Sequence, residues 1–289
     1  MKIKTILLAL ALLINPLLAS GEAEDDETVV AAAPKKKGRH AVELVKNEHV
    51  TVMDLSNEKE LRNIEFLRHF PCLTDLNLSE CFLLGDNYCF VSALTNLRKL
   101  NLFDNVRSTT LVPLKSLTNL TDLNLGQNHY LTSVKDICSL PQLICLNLSG
   151  NHLMADLEEV GKLTTLTSLD LSLVFNRDEV PYPKTLDFLS SLVFLKKLNI
   201  NCNDGIFSIK SLRNLPRLKI LSVGYCPNIT DWEFLAPFPA LKKLKFEFVN
   251  IYFDISFLST LTSLEDLYVY HRTKLPPLSN HIRIHLTEG

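Results

Sequence analysis

The sequence predicts an α/β solenoid, with a curved parallel sheet on the concave face and short helical or irregular segments on the convex face. Three observations lead there. The unit LxxLxLxxN starts at Val50, Leu73, Leu97, Leu120, Leu143, Leu166, Leu195, Leu218, Leu241 and Leu264, with spacings of 23, 24, 23, 23, 23, 29, 23, 23 and 23 residues. A period of this length marks stacked repeats. Within a unit the apolar residues first alternate and then recur every third position, as in Leu123 and Leu125 followed by Leu131, Val134, Ile137 and Leu140. Finally, 289 residues of which 46% are hydrophobic suffice for one continuous core and leave little for a second domain.

Each element of the unit follows from its spelling. Residues at offsets 3 and 5 from a start point inward from a short strand, so offsets 2, 4 and 6 point outward. Asparagine at offset 8, occupied by Asn105, Asn128, Asn151 and Asn203, ends the strand and offers its amide to turn backbone that would otherwise be buried unpaired. Cys81 and Cys226 stand at this offset in two other repeats and read as buried structural thiols. Offsets 11, 14, 17 and 20 carry the chain back along the convex side. A single repeat cannot bury its own apolar side, so stability comes from stacking on neighbours.

These motifs resemble the leucine-rich-repeat family over nearly everything from residue 41 to the C-terminus. VPLKSLTNL and LTNLTDLNLGQN are closest to internalin-type repeats, and LSVGYCPNITD resembles the cysteine-containing repeats of F-box proteins. The resemblance implies a scaffold that binds proteins, peptides or glycans through its surface residues.

The first 40 residues follow a different logic. MKIK, the apolar run from Thr5 to Leu18 and the small residues Ala19, Ser20 and Gly21 read as a signal peptide over 1–21, cleaved after Ala19, Gly21 or Ala23. The apolar run is too short for a stable membrane span. Residues 22–40, EAEDDETVVAAAPKKKGRH, pass from an acidic to a basic block without repeat spacing and read as a disordered linker. The repeat domain then occupies 41–289, about ten repeats with short terminal caps. The expected location is secreted or periplasmic. Seven cysteines without a disulfide framework also suit a final destination in the reducing interior of a host cell, although one pair among Cys72, Cys81 and Cys89 stays open.

Sequence-visible catalytic sets are missing: there is no phosphate loop, GxSxG, HExxH or paired CxxC. The protein is therefore not expected to be an enzyme, and neither cofactor nor metal is expected. His129 and His152 share offset 9 in adjacent repeats, but flanking Val106 and Phe175 supply no third ligand. His281 and His285, in the alternating HIRIHL that reads as a closing edge strand, are likewise expected to be exposed. Of the sequons at Asn77, Asn119, Asn147 and Asn228, two arise from the repeat's own LNLS. A net charge of −2 gives no general attraction to nucleic acid, and none is expected as a partner.

Surface residues remain. Offset 4 makes a polar ladder through Asp54, Asn77, Asn101, Asn124, Asn147 and Asp170. Offsets 2, 4, 6 and 7 then gather Tyr225, Lys243, Lys245, Phe248, Tyr268, Tyr270 and His271 towards the C-terminal end of the concave face. Aromatic residues on an open sheet face suit either a protein interface or contact with the terminal cap. A second candidate is the insertion FNRDEVPYPK, residues 175–184, whose Arg177 and Tyr182 are placed for partner contacts. The expected function is an exported, monomeric, protein-binding module; the alternative is a secreted effector or adaptor acting in a host cell.

Overall fold

A computed structural model of the chain describes residues 50–58, 61, 63–81, 85–105, 111–175, 185–236, 238–247 and 254–287. The expected signal peptide and linker, and the candidates Phe248, Arg177 and Tyr182, lie outside the described residues. Eleven strands pair in chain order in one parallel, open sheet. They are β1 (Val52–Asp54), β2 (Asp75–Asn77), β3 (Lys99–Asn101), β4 (Asp122–Asn124), β5 (Cys145–Asn147), β6 (Ser168–Asp170), β7 (Lys197–Asn199), β8 (Ile220–Ser222), β9 (Lys243–Phe246), β10 (Asp266–Tyr270) and β11 (Arg283–Thr287). The ten repeat starts account for β1 to β10, and the HIRIHL segment adds β11.

The strands stay short because alternation lasts only through offset 5 before the chain must turn. In register, Leu76, Leu100, Leu123, Leu146 and Leu169 face one another across β2 to β6 and are buried. Leu131, Val134, Ile137 and Leu140 fill the convex half of the core in the fourth repeat. Burying one such side chain contributes about 1.5–3 kcal/mol. On the convex side the connections are 3₁₀ segments, including Glu65–His69, Val112–Ser116, Asp187–Ser191 and Ser256–Thr260, and no α-helix occurs among the described residues. None of the helices is long and apolar enough to cross a membrane among these residues.

Offset 8 acts as the hydrogen-bonding hub between repeats. The Asn128 amide donates to the carbonyls of Leu102 (3.0 Å) and Leu125 (2.7 Å), while its oxygen accepts the Asn105 backbone N–H (2.8 Å). Asn203 serves Leu171 and Ile200 in the same way and accepts from Val174 and Phe175. Cys81 and Cys226 take over the donor role, each thiol reaching the carbonyl of the preceding repeat, Leu55 or Ile200, at 3.1 Å. All seven cysteines are free, including Cys72, Cys81 and Cys89.

One expectation needs correction. Phe175, taken from the sequence as the first residue of the insertion, is 1% exposed and part of the core. Its N–H is anchored on Asn203 of the next repeat. The register on the far side holds: Thr185 bridges Ser208, and Leu186, Leu189 and Leu192 are buried.

Candidate functional site

The concave face is built from outward-pointing residues of successive strands, and its character changes along the solenoid. Over β2 to β6 the offset-4 residues line a trough of about 500 Å³ together with Asp75, Lys99 and Asp122. Each amide or carboxylate oxygen there accepts a backbone N–H two residues on: Asn77 from Ser79 (3.1 Å), Asn101 from Phe103 (3.1 Å), Asn124 from Gly126 (3.0 Å) and Asn147 from Ser149 (2.8 Å). These side chains end the strands as local turn formers. The other sequon amides also serve the scaffold, Asn119 donating to Thr95 and Asn228 to Asp204.

At the C-terminal end the face becomes aromatic and cationic. Tyr268 on β10 lies opposite Lys245 on β9 and His285 on β11. The His285 ring stacks on it with centroids 4.2 Å apart and planes 9° from parallel. Lys243 and Lys245 place their ammonium groups 5.3 and 5.4 Å from the Tyr268 centroid. Such cation–π contacts contribute about 0.5–2 kcal/mol each. Tyr268 is thereby held half-buried between two lysines and an imidazole.

That stack depends on a polar clamp beneath it. Arg283 donates twice to Asp266 at 2.9 Å, and His285 Nε2 lies 2.8 Å from the same carboxylate. Bidentate pairing of this kind is stronger and more directional than a single contact. Arg283 first and His285 next hold the Asp266 carboxyl down at about 2. The clamp docks β11 onto β10, with Asp266 opposite Arg283 and Tyr268 opposite His285.

The remaining predicted residues divide. Tyr270 and His271 meet edge to face at 4.4 Å. Tyr225, 44% exposed, sits in the turn after β8 rather than on the strand, with φ of 57° and its backbone N–H donating to the Glu247 carbonyl. Partial burial and then the Glu247 carboxylate push its phenol up, with Cys202 and Tyr270 also contributing. The expected cluster thus divides into a stack of Lys243, Lys245 and Tyr268 on the strands, Tyr270 at the end of β10 against His271, and Tyr225 in the turn after β8. His285 is a correction. Expected as an exposed histidine, it is a half-buried strand residue in the centre of the stack. His281 is exposed.

Tyr225 belongs to a wider pattern. Asn57, Glu80, Asp104, Gln127, Gly150, Leu173, Cys202 and Tyr225 all stand at offset 7 and all have positive φ. Left-handed backbone costs a side chain such as Leu or Tyr roughly 1–2 kcal/mol relative to glycine. The conformation persists because each N–H donates across to the next repeat, as Gln127 to Ser149 and Cys202 to Gly224. Where these turns pass Leu173 and Cys202 they border a second trough of about 360 Å³, also lined by His129, His152 and Asp204. The His129 and His152 rings are 5.5 Å apart, and His129 Nδ1 lies 2.9 Å from the Gly150 carbonyl. Among the described residues no three potential ligands converge for a metal ion.

No protein-family profile matches the sequence, and no curated protein matches it. Solved structures do. An internalin from Listeria monocytogenes str. 4b F2365 is 24% identical with a TM-score of 0.54, over 81% of this chain and 75% of that one. A leucine-rich-repeat protein of Leptospira interrogans is 22% identical with a TM-score of 0.56, over 89% of this chain and 67% of that one. TLR13, solved in a complex with ssRNA13, is 25% identical with a TM-score of 0.54, over 75% of this chain and 31% of that one. The likeness identifies the fold.

Proposed function

We propose that this chain, a leucine-rich-repeat solenoid by fold, is a non-catalytic module that binds a protein partner through the C-terminal part of its concave face. The observation that carries the reading is the Tyr268 stack: an aromatic side chain held rigidly between His285, Lys243 and Lys245 on an open sheet face. Ordering such a group before binding lowers the entropy cost of using it as an anchor. Tyrosine is one of the residues enriched among interface anchors. The leucine-rich-repeat structures similar to this chain fit a binding role.

The proposal includes export through the N-terminal apolar segment, and action as a monomer. A second reading, an effector or adaptor that finishes in a reducing compartment, is favoured by the seven free thiols.

The test is affinity capture with the mature chain, followed by titration of whatever is captured. Tyr225→Ala combined with Tyr268→Ala should fold and lose about thirtyfold or more in affinity, the cost of one lost anchor of about 2 kcal/mol. Asn101→Ala with Asn124→Ala, on the polar half, should lose far less. If removal of residues 176–184 abolishes capture while the tyrosine variant binds normally, the site is the inserted loop and the concave reading fails.

A further inference from the structure

Net charge conceals a local concentration of cations. Lys196, Lys197, Arg217, Lys219, Lys242 and Lys243 come from three consecutive repeats and gather at the N-terminal ends of β7 to β9. The Lys219 N–H donates to the Lys196 carbonyl and the Lys242 N–H to the Lys219 carbonyl, both at 2.9 Å. Lys196, Lys219 and Lys242 therefore stack in one column at the inter-strand spacing of about 4.8 Å. Lys197 and Lys243 flank that column, in register through Ile220. Arg217 caps it, its guanidinium 4.7 Å from the ring centroid of Phe194, which is 43% exposed.

Like charges at this spacing repel, so a ridge of them is unfavourable unless something offsets it. Elsewhere in the solenoid the carboxylates are supplied locally: Lys115 meets Asp136 at 2.8 Å, Lys135 meets Asp156 at 3.8 Å and Lys162 meets Glu159. On the ridge, of the six cations, Lys242 alone forms an ion pair among the described residues, with Glu265 at 2.5 Å. Asp266 is already committed to Arg283 and His285.

We propose that the ridge docks an acidic segment of a protein partner, several Asp or Glu side chains on a short run of chain. Three stacked repeats span about 10 Å, the reach of three or so extended residues. Single-stranded nucleic acid fits less well, because its bases need free aromatic faces to stack on. Here Arg217 lies over Phe194, and His285 with two lysines surrounds Tyr268. The ridge goes beyond the concave reading and shares only Lys243 with it, a residue the test leaves untouched.

The experiment uses the full chain and a fluorescein-labelled ten-residue peptide of alternating Glu and Asp, followed by anisotropy at about 20 mM and about 300 mM salt. The native protein should bind at low salt and release at high salt. Lys196→Gln with Lys219→Gln should weaken low-salt binding about tenfold, while Lys115→Gln with Lys135→Gln, an equal loss of charge, should change it less than about twofold. Because the chain's own acidic run can compete, the same titration is made with Glu22→Gln, Glu24→Gln, Asp25→Asn, Asp26→Asn and Glu27→Gln combined. Failure of both this protein and the native one to bind, or equal weakening in the Lys115 and Lys135 variant, overturns the proposal. So does tighter binding of a ten-nucleotide oligouridylate than of the peptide.

Discussion

Replacing Asn128 tests how adjacent repeats are joined. Asn128 is 1% exposed and links two adjacent repeats through the Leu102 carbonyl, the Leu125 carbonyl and the Asn105 N–H. In Asn128→Ala the Leu125 carbonyl keeps a donor, because the Asn151 amide also reaches it at 2.8 Å. The Leu102 carbonyl and the Asn105 N–H lose the partner that Asn128 supplied. A buried group left unsatisfied costs about 1–3 kcal/mol, so the expected loss for the two groups is about 2–6 kcal/mol. Asn128→Cys should fall between, near 1–3 kcal/mol, since Cys81 and Cys226 show that a thiol can serve the preceding carbonyl, while its sulfur is a weaker acceptor for the N–H than an amide oxygen. Urea denaturation of the three proteins gives the order, and amide exchange at Asn105 gives the mechanism: protection there should drop in both variants. If Cys and Ala are equally destabilising, the thiol is not a donor at this offset. An alanine variant within about 0.5 kcal/mol of the native protein would show that the offset-8 side chain does not join the repeats.

Two further predictions follow the titratable groups. Asp266 is held at about 2 against an ordinary 3.8, so its contribution to docking β11 is complete above the ordinary value and is lost as pH falls through about 2. Protection of the Thr287 amide, its exchange relative to the intrinsic rate at each pH, should fall as pH is lowered through that window, and Asp266→Asn should lower it throughout; an unchanged protection profile would show that the clamp does not hold the strand. Burial pushes the thiols of Cys138 and Cys226 up to about 12, whereas Cys89 and Cys202 are exposed. A disulfide reagent at pH 8 should therefore modify Cys89 and Cys202 in the native state and reach Cys81, Cys138 and Cys226 only on unfolding, with mass mapping of the labelled peptides as the check.

The candidate site was legible in part. Tyr268, Lys243 and Lys245 could be placed together because they share outward offsets in adjacent repeats, and parallel register carries such offsets across the sheet. Tyr225 stands at offset 7, which follows the strand, and its left-handed backbone there was not readable from spacing. The lysine column at offset 1 was equally countable, but the whole-chain charge of −2 averages it away. His285 escaped because residues 272–282 break the period, so no count across them relates Arg283 to Asp266.

By itself the sequence determined the repeat boundaries, the buried columns and the parallel order of β1 to β10. Those features depend on short-range spacing repeated until only one stacking satisfies every apolar position. The tertiary structure decided the rest. It placed Phe175 inside the core through Asn203 and imposed left-handed backbone at offset 7 on Leu173, Cys202 and Tyr225. It also closed the sheet's end by setting Arg283 and His285 on Asp266. In each case the outcome depends on a hydrogen-bond partner in a neighbouring turn or strand, which the residue's own spelling does not specify.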